Sequence, residues 1–459
     1  MAGLGFRSAL WRTIERARHD YPVLLGELRR QQWLPREEVE AVQRRRLIRL
    51  LQHAFENVPY YRAVLGSAGV VRGDGSVHLE RFTEIEPLSR QVVIREGQNL
   101  WSRTASPREC HLNASGGSTG EPVRHLQDRV CREYGLAVKA LFDEWTGYRV
   151  GRRQVRLWGS ERDLGVANES LKRRVGRWLR SELWLNAFRM DETRMREYVR
   201  RINAFRPYQL LGYANSLYEL ATFVQREGLD VHAPGAVMSS AGTLFPHMRE
   251  RIEGVFRAPV FNRYGSREVG DVACECERHR GLHVCTPTHL IEVLGPDGGP
   301  VGPGEVGEVV VTLLTNHAMP LIRYRIGDMA AWAEEECPCG RTWPLLREVA
   351  GRVTDVFYRA DGGVVLPEAF IHLIGVVVRP RSIRQFQVVQ RSYDQVVVRA
   401  VVWPEMASSF AEECEKIAWH VRHLMGPECR VEFEVVDELR PTPSGKFRYT
   451  VSEVAPSHV

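Results

Sequence analysis

The chain has 459 residues, 44% of them hydrophobic, so it is too long for one compact core and has the apolar content to bury two or three domains. The longest apolar run, at 371–378, falls far short of the about 20 residues a membrane-spanning helix needs, and the N-terminus lacks the apolar stretch of a signal peptide, so a cytoplasmic protein without integral membrane contact is expected. A formal charge of +6, carried mostly by arginine and spread along the chain, suits anionic small molecules at least as well as nucleic acid, and no nucleic-acid motif accompanies it.

Residues 6–62 place Leu47, Leu50, Leu51, Ala54 and Phe55 at helical spacing among many arginines, which predicts amphipathic helices. Trp11 and Trp33 beside arginines allow a membrane-surface helix, but a core-facing stripe with solvated arginines is the simpler reading. The next segment, Ser115, Gly116, Gly117, Ser118, Thr119 and Gly120, can fold around a phosphate, because glycines let backbone N–H groups approach an anion and the hydroxyls add donors. It is neither a Gly-Lys-Ser/Thr P-loop nor a Gly-x-Gly-x-x-Gly fingerprint, and a plain linker is the alternative. From 112 to about 352, apolar runs such as 153–158 and 236–239 alternate with amphipathic ones at 195–206 and 217–226, an α/β signature. Pro and Gly dominate 295–307, a strand follows at 307–315, and about 270–350 reads as a β-rich subdomain. Beyond 352 come a hairpin (386–389, 396–402), a helix (406–425) and a strand (430–436), a β-β-α-β unit of the ferredoxin-like kind. The expected architecture is α/β, with a large domain at 1–354, opened by helices at 1–62, and a small α+β domain at 355–459.

Four further segments change the weight of the glycine loop: Asn262-Arg263-Tyr264-Gly265-Ser266-Arg267-Glu268, Tyr324-Arg325-Ile326-Gly327-Asp328, Gly351-Arg352-Val353-Thr354-Asp355 and Pro443-Ser444-Gly445-Lys446-Phe447-Arg448. In this order, with residues 115–120, they resemble the motifs of the acyl-adenylate-forming enzymes, the superfamily of acyl-CoA synthetases, luciferases and peptide-synthetase adenylation domains. Val58-Pro59-Tyr60-Tyr61-Arg62 and the wording at 115–122 and 264–268 look like the phenylacetate-CoA ligase branch, particularly its polysaccharide-cluster and coenzyme F390 synthetase-like members. The resemblance covers essentially the whole chain.

It implies an AMP-forming ligase that activates a carboxylic acid with ATP, releases pyrophosphate and passes the acyl group to a nucleophile, by default coenzyme A. The loop at 115–120 would hold the β- and γ-phosphates, Glu268 the magnesium, and Lys446 would bridge substrate carboxylate and ATP. Tyr264 would lie against the adenine, Asp328 would accept from the ribose hydroxyls and Arg352 would reach ribose or phosphate. Asn262, Arg263, Gly265 and Ser266 belong to the same nucleotide segment. Many superfamily members carry Gly-Glu where this chain has Ala241-Gly242-Thr243, which removes an acidic residue at the expected adenine pocket; Ala241 and Gly242 are kept as nucleotide contacts. Asp355 falls at the family's hinge, about which the small domain would rotate between the two half-reactions. Trp158 and Tyr213 are the acyl-pocket candidates, with plain core aromatics as the alternative. Amines, hydroxyls and carrier-protein thiols are the alternative acceptors, and a homodimer is one expected assembly. Nucleotidyl transfer to a cofactor and a degenerate nucleotide-binding partner protein are the competing readings.

Five of the nine cysteines fall between Cys274 and Cys339, together with His279 and His283. Two short loops about sixty residues apart can thus deliver four soft or imidazole ligands to a tetrahedral zinc. Branch members with a similar set hold a structural zinc, which points to Cys276, His283, Cys337 and Cys339, with His279 as the substitute for His283.

Overall fold

The computed structural model describes the chain outside residues 1–10, 12, 16, 107, 115–122, 160–170, 188–189, 353–355, 362, 366–368, 371–372, 379, 440–447 and 455–459. The glycine loop at 115–120, Asp355 and Lys446 lie outside the described residues.

The chain opens with helices α1 (Tyr21–Gln31), α2 (Arg36–Asn57) and α3 (Pro59–Ser67). Tyr21, Leu25 and Leu28 on α1, and Leu47, Leu50, Leu51 and Ala54 on α2, form the buried stripes that their spacing requires. Val58 is extended (φ −113°, ψ 114°), as a residue before proline prefers, and α2 ends there so that Pro59 can start α3. Ser89 caps α4 (Arg90–Glu96), its hydroxyl accepting from the Val92 N–H at 3.2 Å.

A short hairpin, β1 (His111–Ala114) and β2 (Arg124–Gln127), precedes α5 (Arg129–Trp145), which Asp128 caps by accepting from the Cys131 N–H at 2.7 Å. Then β3 (Gln154–Trp158), α6 (Leu171–Arg180), β4 (Glu182–Asn186), α7 (Glu192–Phe205), β5 (Gln209–Tyr213), α8 (Ala214–Arg226), β6 (Ala236–Ser240), α9 (Pro246–Phe256) and β7 (Val260–Ser266) alternate. The strands are parallel in the order β4-β3-β5-β6-β7. β6 is buried at every position, as a strand covered on both faces should be.

The remaining strands of the large domain are β8 (Gly270–Glu275), β9 (Leu282–Val284), β10 (His289–Leu294), β11 (Val306–Leu313), β12 (Tyr324–Trp332) and β13 (Leu345–Arg352). They do not form a sheet of their own. They extend the parallel half into one eleven-stranded sheet, β10-β11-β12-β13-β9-β8-β7-β6-β5-β3-β4, in which β13 and β9 pair, among the described residues, through Leu345 opposite His283 and Leu346 opposite Leu282.

The C-terminal unit holds β14 (Phe357–Tyr358), β15 (Val364–Val365), β16 (Ile383–Ser392), β17 (Gln395–Val402), α10 (Ala407–Met425), β18 (Arg430–Val435) and β19 (Thr450–Ser452). Its sheet runs β18-β17-β16-β19, and α10 covers it with Ile417, Val421 and Met425. Leu373 and Ile374, from the longest apolar run, are buried in that core, and no described helix is long and apolar enough to cross a membrane. Tyr449 links this unit to the large domain, its ring lying 5.4 Å from Phe386 on β16 and 6.2 Å from Phe245 just before α9.

Glu133 on α5 fastens the N-terminal helices to the sheet layer. It is buried and accepts from the backbone N–H groups of Asp20 and Tyr21, each at 2.9 Å, and from the His19 ring at 2.8 Å. Burial opposes its ionisation, but the His19 and Tyr21 bonds outweigh that and hold the carboxyl below its ordinary value. Glu133→Ala should therefore lower stability by about 1–3 kcal/mol, seen as a lower urea midpoint. Because the folded value is depressed, the advantage of Glu133 over Glu133→Gln should be full above the ordinary pKa of 4.5 and shrink as pH falls through the folded value. A pH-independent difference would contradict the charged role.

Candidate active site

Strand β7 and the turn after it carry the longest motif. Asn262 is held by its backbone N–H on Glu275 Oε2 at 2.9 Å, and Arg263 and Tyr264 point to opposite sides of the strand, as alternation demands. The Tyr264 hydroxyl donates to Asp328 Oδ2 at 2.9 Å. Asp328 in turn sits opposite Arg352 in the β12–β13 ladder, so Tyr264, Asp328 and the Arg352 backbone form one neighbourhood from three strands distant in sequence. Gly265 cannot be replaced cheaply, because a Cβ there would lie 2.2 Å from the Gly270 carbonyl oxygen. The Ser266 hydroxyl accepts from the N–H groups of Glu268 and Val269 at 3.3 and 3.4 Å, fixing the turn that carries the buried Glu268. Buried His125, on the strand that follows the glycine loop, neighbours it: burial pushes the imidazole pKa down and the Glu268 charge pulls it up.

Trp158 and Tyr213 end the adjacent parallel strands β3 and β5, with their rings 4.3 Å apart. The carboxyl ends of parallel strands are where open α/β sheets take ligands. Gly212, just before Tyr213, leaves room for Leu217 on the other face of β5, since a Cβ there would meet Leu217 Cγ at 2.9 Å. At the end of β6, Ala241 holds a left-handed φ of 57°, an unusual backbone for a residue with a side chain, and Gly242 follows it. Trp158 also lines a cavity of about 1340 Å³ between the sheet, α5 and α6, together with Lys139, Arg156, Arg263 and Arg267. Arg263 thus faces this cavity, with its guanidinium 3.5 Å from Asp271, while Tyr264 faces Asp328. The sequence reading named none of His125, Lys139 and Arg156.

On the face of the sheet covered by α1 and α5, Cys276, His283, Cys337 and Cys339 offer ligand atoms that all lie within 4.8 Å of one another. Cys276 Sγ is 3.6 Å from Cys337 Sγ, and His283 Nε2 is 3.3 Å from Cys339 Sγ. A tetrahedral zinc with bonds of about 2.3 Å to sulfur and 2.0 Å to nitrogen needs edges of about 3.8 and 3.5 Å, so this donor set fits zinc. His283 Nδ1 lies 3.2 Å from the Trp343 carbonyl, which leaves Nε2 for a metal, and burial pushes its pKa down to about 4, keeping the ring neutral. Backbone N–H groups of Arg278 and Arg341 point at the sulfurs of Cys276 and Cys339, each at 3.4 Å. His279 instead approaches Glu275 at 3.2 Å from a left-handed turn (φ 49°) and is not part of the group. Around the cluster, Gln32 Oε1 accepts from Trp145 Nε1 at 3.0 Å and Arg341 Nε at 2.9 Å, so the node joins the end of α1 to α5 and the β13 approach.

The family profile described as the CapK C-terminal domain matches residues 357–453. The chain is 28% identical to the phenylacetate-coenzyme A ligase of Thermus thermophilus over 78% of its own length and 79% of that protein. It is 24% identical to Protein CapK of Staphylococcus aureus over 74% of each. In fold it is similar to 2-hydroxyisobutyryl-CoA ligase, solved in the postadenylation state in complex with 2-HIB-AMP, with a TM-score of 0.73 at 20% identity, covering 92% of this chain and 91% of the other.

Proposed function

We propose that this chain, which belongs to the phenylacetate-CoA ligase and CapK branch of the acyl-adenylate-forming enzymes, activates a carboxylic acid with ATP and then passes the acyl group to coenzyme A. The observation that carries the reading is the Tyr264–Asp328 hydrogen bond of 2.9 Å beside the Arg352 position, a ready seat for a nucleoside. In the first half-reaction a carboxylate oxygen attacks the α-phosphorus, and the bond to the bridging oxygen breaks as pyrophosphate leaves. Two anions meet in that step, so donors and positive charge must converge on the α-phosphate. Lys446 is assigned to bridge the carboxylate and the α-phosphate, and the loop at 115–120 to hold the leaving phosphates. Tyr264 lies against the adenine, with its hydroxyl holding Asp328 toward the ribose, and Arg352 reaches ribose or phosphate. A magnesium ion, when bound, neutralises phosphate charge, and the buried carboxylate of Glu268 is the hard oxygen ligand suited to hold it. In the second half-reaction the thiol of coenzyme A loses its proton as sulfur bonds to the acyl carbon, and the carbon–oxygen bond to AMP breaks.

The Cys276, His283, Cys337 and Cys339 group is assigned to a structural zinc, since four protein donors leave no open position for chemistry.

Purified protein given ATP, magnesium and a panel of aryl, fatty and hydroxy acids should release pyrophosphate with its preferred acid, and form AMP and acyl-CoA when coenzyme A is added. Lys446→Ala should slow release at least about 100-fold. Release unchanged by that substitution sinks the lysine assignment, and no release with any acid sinks adenylation itself. Metal analysis should find one zinc per chain, with Cys337→Ser losing most of it and melting at lower temperature; equal zinc in both proteins would refute the ligand set.

A further inference from the structure

We propose that the acid taken by this site carries a second anionic group, bound in the cavity between the sheet, α5 and α6 by Lys139, Arg156 and Arg263. The inference rests on the adenylation reading for the position of the reacting carboxylate. Among its described lining residues, the cavity of about 1340 Å³ has seven lysines and arginines and one carboxylate, Glu15. Neighbouring acids compensate only part of that charge. Glu182 pairs with Arg156 at 3.4 Å and Arg180 at 3.0 Å, Asp271 lies 3.5 Å from Arg263, and the buried carboxyl of Asp143 on α5 acts on Arg263, Lys139 and Arg156 together. Arg263 is 4% exposed, and its Nε and Nη1 have no hydrogen-bond partner among the described residues. Half-buried Lys139 makes no ion pair among them either, and the charge of Arg156, with burial and Arg263, pushes its ammonium down to about 8. Even with Asp143, Glu182 and Asp271 counted, the seven lysines and arginines around the cavity stay in excess, and an anionic group on the ligand offsets charge that a purely apolar acid leaves unpaired.

The strand geometry sets the length of the ligand. Trp158 ends β3, and Arg156 lines the same cavity two residues earlier, roughly 6–7 Å deeper at the strand rise. An acid whose reacting carboxylate lies at the strand ends therefore presents its far end to Arg156, Lys139 and Arg263. The Trp158 ring, backed by Tyr213 at 4.3 Å, lines the part between, which suits a ring or short chain.

The test compares 4-carboxyphenylacetate and 4-sulfophenylacetate with 4-methylphenylacetate on the full chain. Equilibrium binding is followed by tryptophan fluorescence, and pyrophosphate release with ATP is measured separately. At least one charged acid should bind ten-fold or more tightly than the methyl analogue, and the two arms tell a carboxylate from a sulfonate. Lys139→Met should shrink that preference to below three-fold and Lys139→Arg should restore it; if Lys139→Met does not fold, Arg156→Gln supplies the same comparison. Equal or tighter binding of the methyl analogue, or an undiminished preference in folded Lys139→Met, would overturn the anion subsite. Charged-acid binding without pyrophosphate release from any acid upholds the subsite and overturns adenylation, whereas fastest release with the uncharged acid does the reverse.

Discussion

The site depends on the large sheet folding back on itself. Tyr264 on β7 and Asp328 on β12 are four strand positions apart in the hydrogen-bonded order, a separation of about 19 Å in a flat sheet, yet their side chains meet at 2.9 Å. The weak join between β13 and β9, two residue pairs long, is where the antiparallel half can swing over the parallel half. Tyr264, Val269 and Val272 consequently share one core with Val309, Tyr324 and Ala330 from the far strands. Burial of that core holds the curl, and the curl brings the residues proposed for the nucleoside into reach of one another.

The cysteine-histidine node acts on the other side of the same strands. Its cysteines lie in the core that also holds Tyr21, Leu25 and Leu28 of α1 and Phe142 and Trp145 of α5, and the His283 ring lies 5.9 Å from Trp145. Arg341 extends the node outward, its guanidinium 4.8 Å from the Trp33 ring and 4.7 Å from Trp145, while its Nη1 pairs with Glu277 at 3.0 Å. An N-terminal helical segment is thereby tied to the sheet at two distant points, through Glu133 at the start of α1 and through Gln32 at its end. A bound metal would strengthen the second tie, because its ligands come from segments some sixty residues apart.

Local pattern made most elements legible. The apolar spacing of α2, the alternating run of β3 and the small-domain hairpin all stand close to where periodicity puts them, because each is fixed by which face its own residues bury. Residues 270–350 are β-rich, as they read, but which strands they pair with was not legible: they continue the parallel sheet, and pairing depends on partners far away in sequence. The parallel addition of β19 to β16 was missed for the same reason. Spacing marked the two cysteine loops, and the resemblance favoured Cys276, His283, Cys337 and Cys339 with His279 as the substitute; the direction in which β9 points its side chains brings His283 to the sulfurs, while a left-handed turn sends His279 to Glu275. Lys139 and Arg156 gave no signal because an isolated cation in a helix or strand looks like a solvated one, and only the packing of α5 on the sheet buries them together. Arg263 entered with its motif as a nucleotide contact, and strand alternation turns it toward the cavity that Trp158 also lines.

A ligand that bridges both faces of this arrangement tests it most directly. Calorimetric titration of a 5′-O-sulfamoyl-adenosine mimic of the acyl-adenylate, against the parent protein and Asp328→Ala, isolates the nucleoside seat from turnover. The mimic should bind the parent and lose ten-fold or more in affinity for the variant, with the fold retained. Equal affinity in the two proteins, or no binding to either, would contradict it.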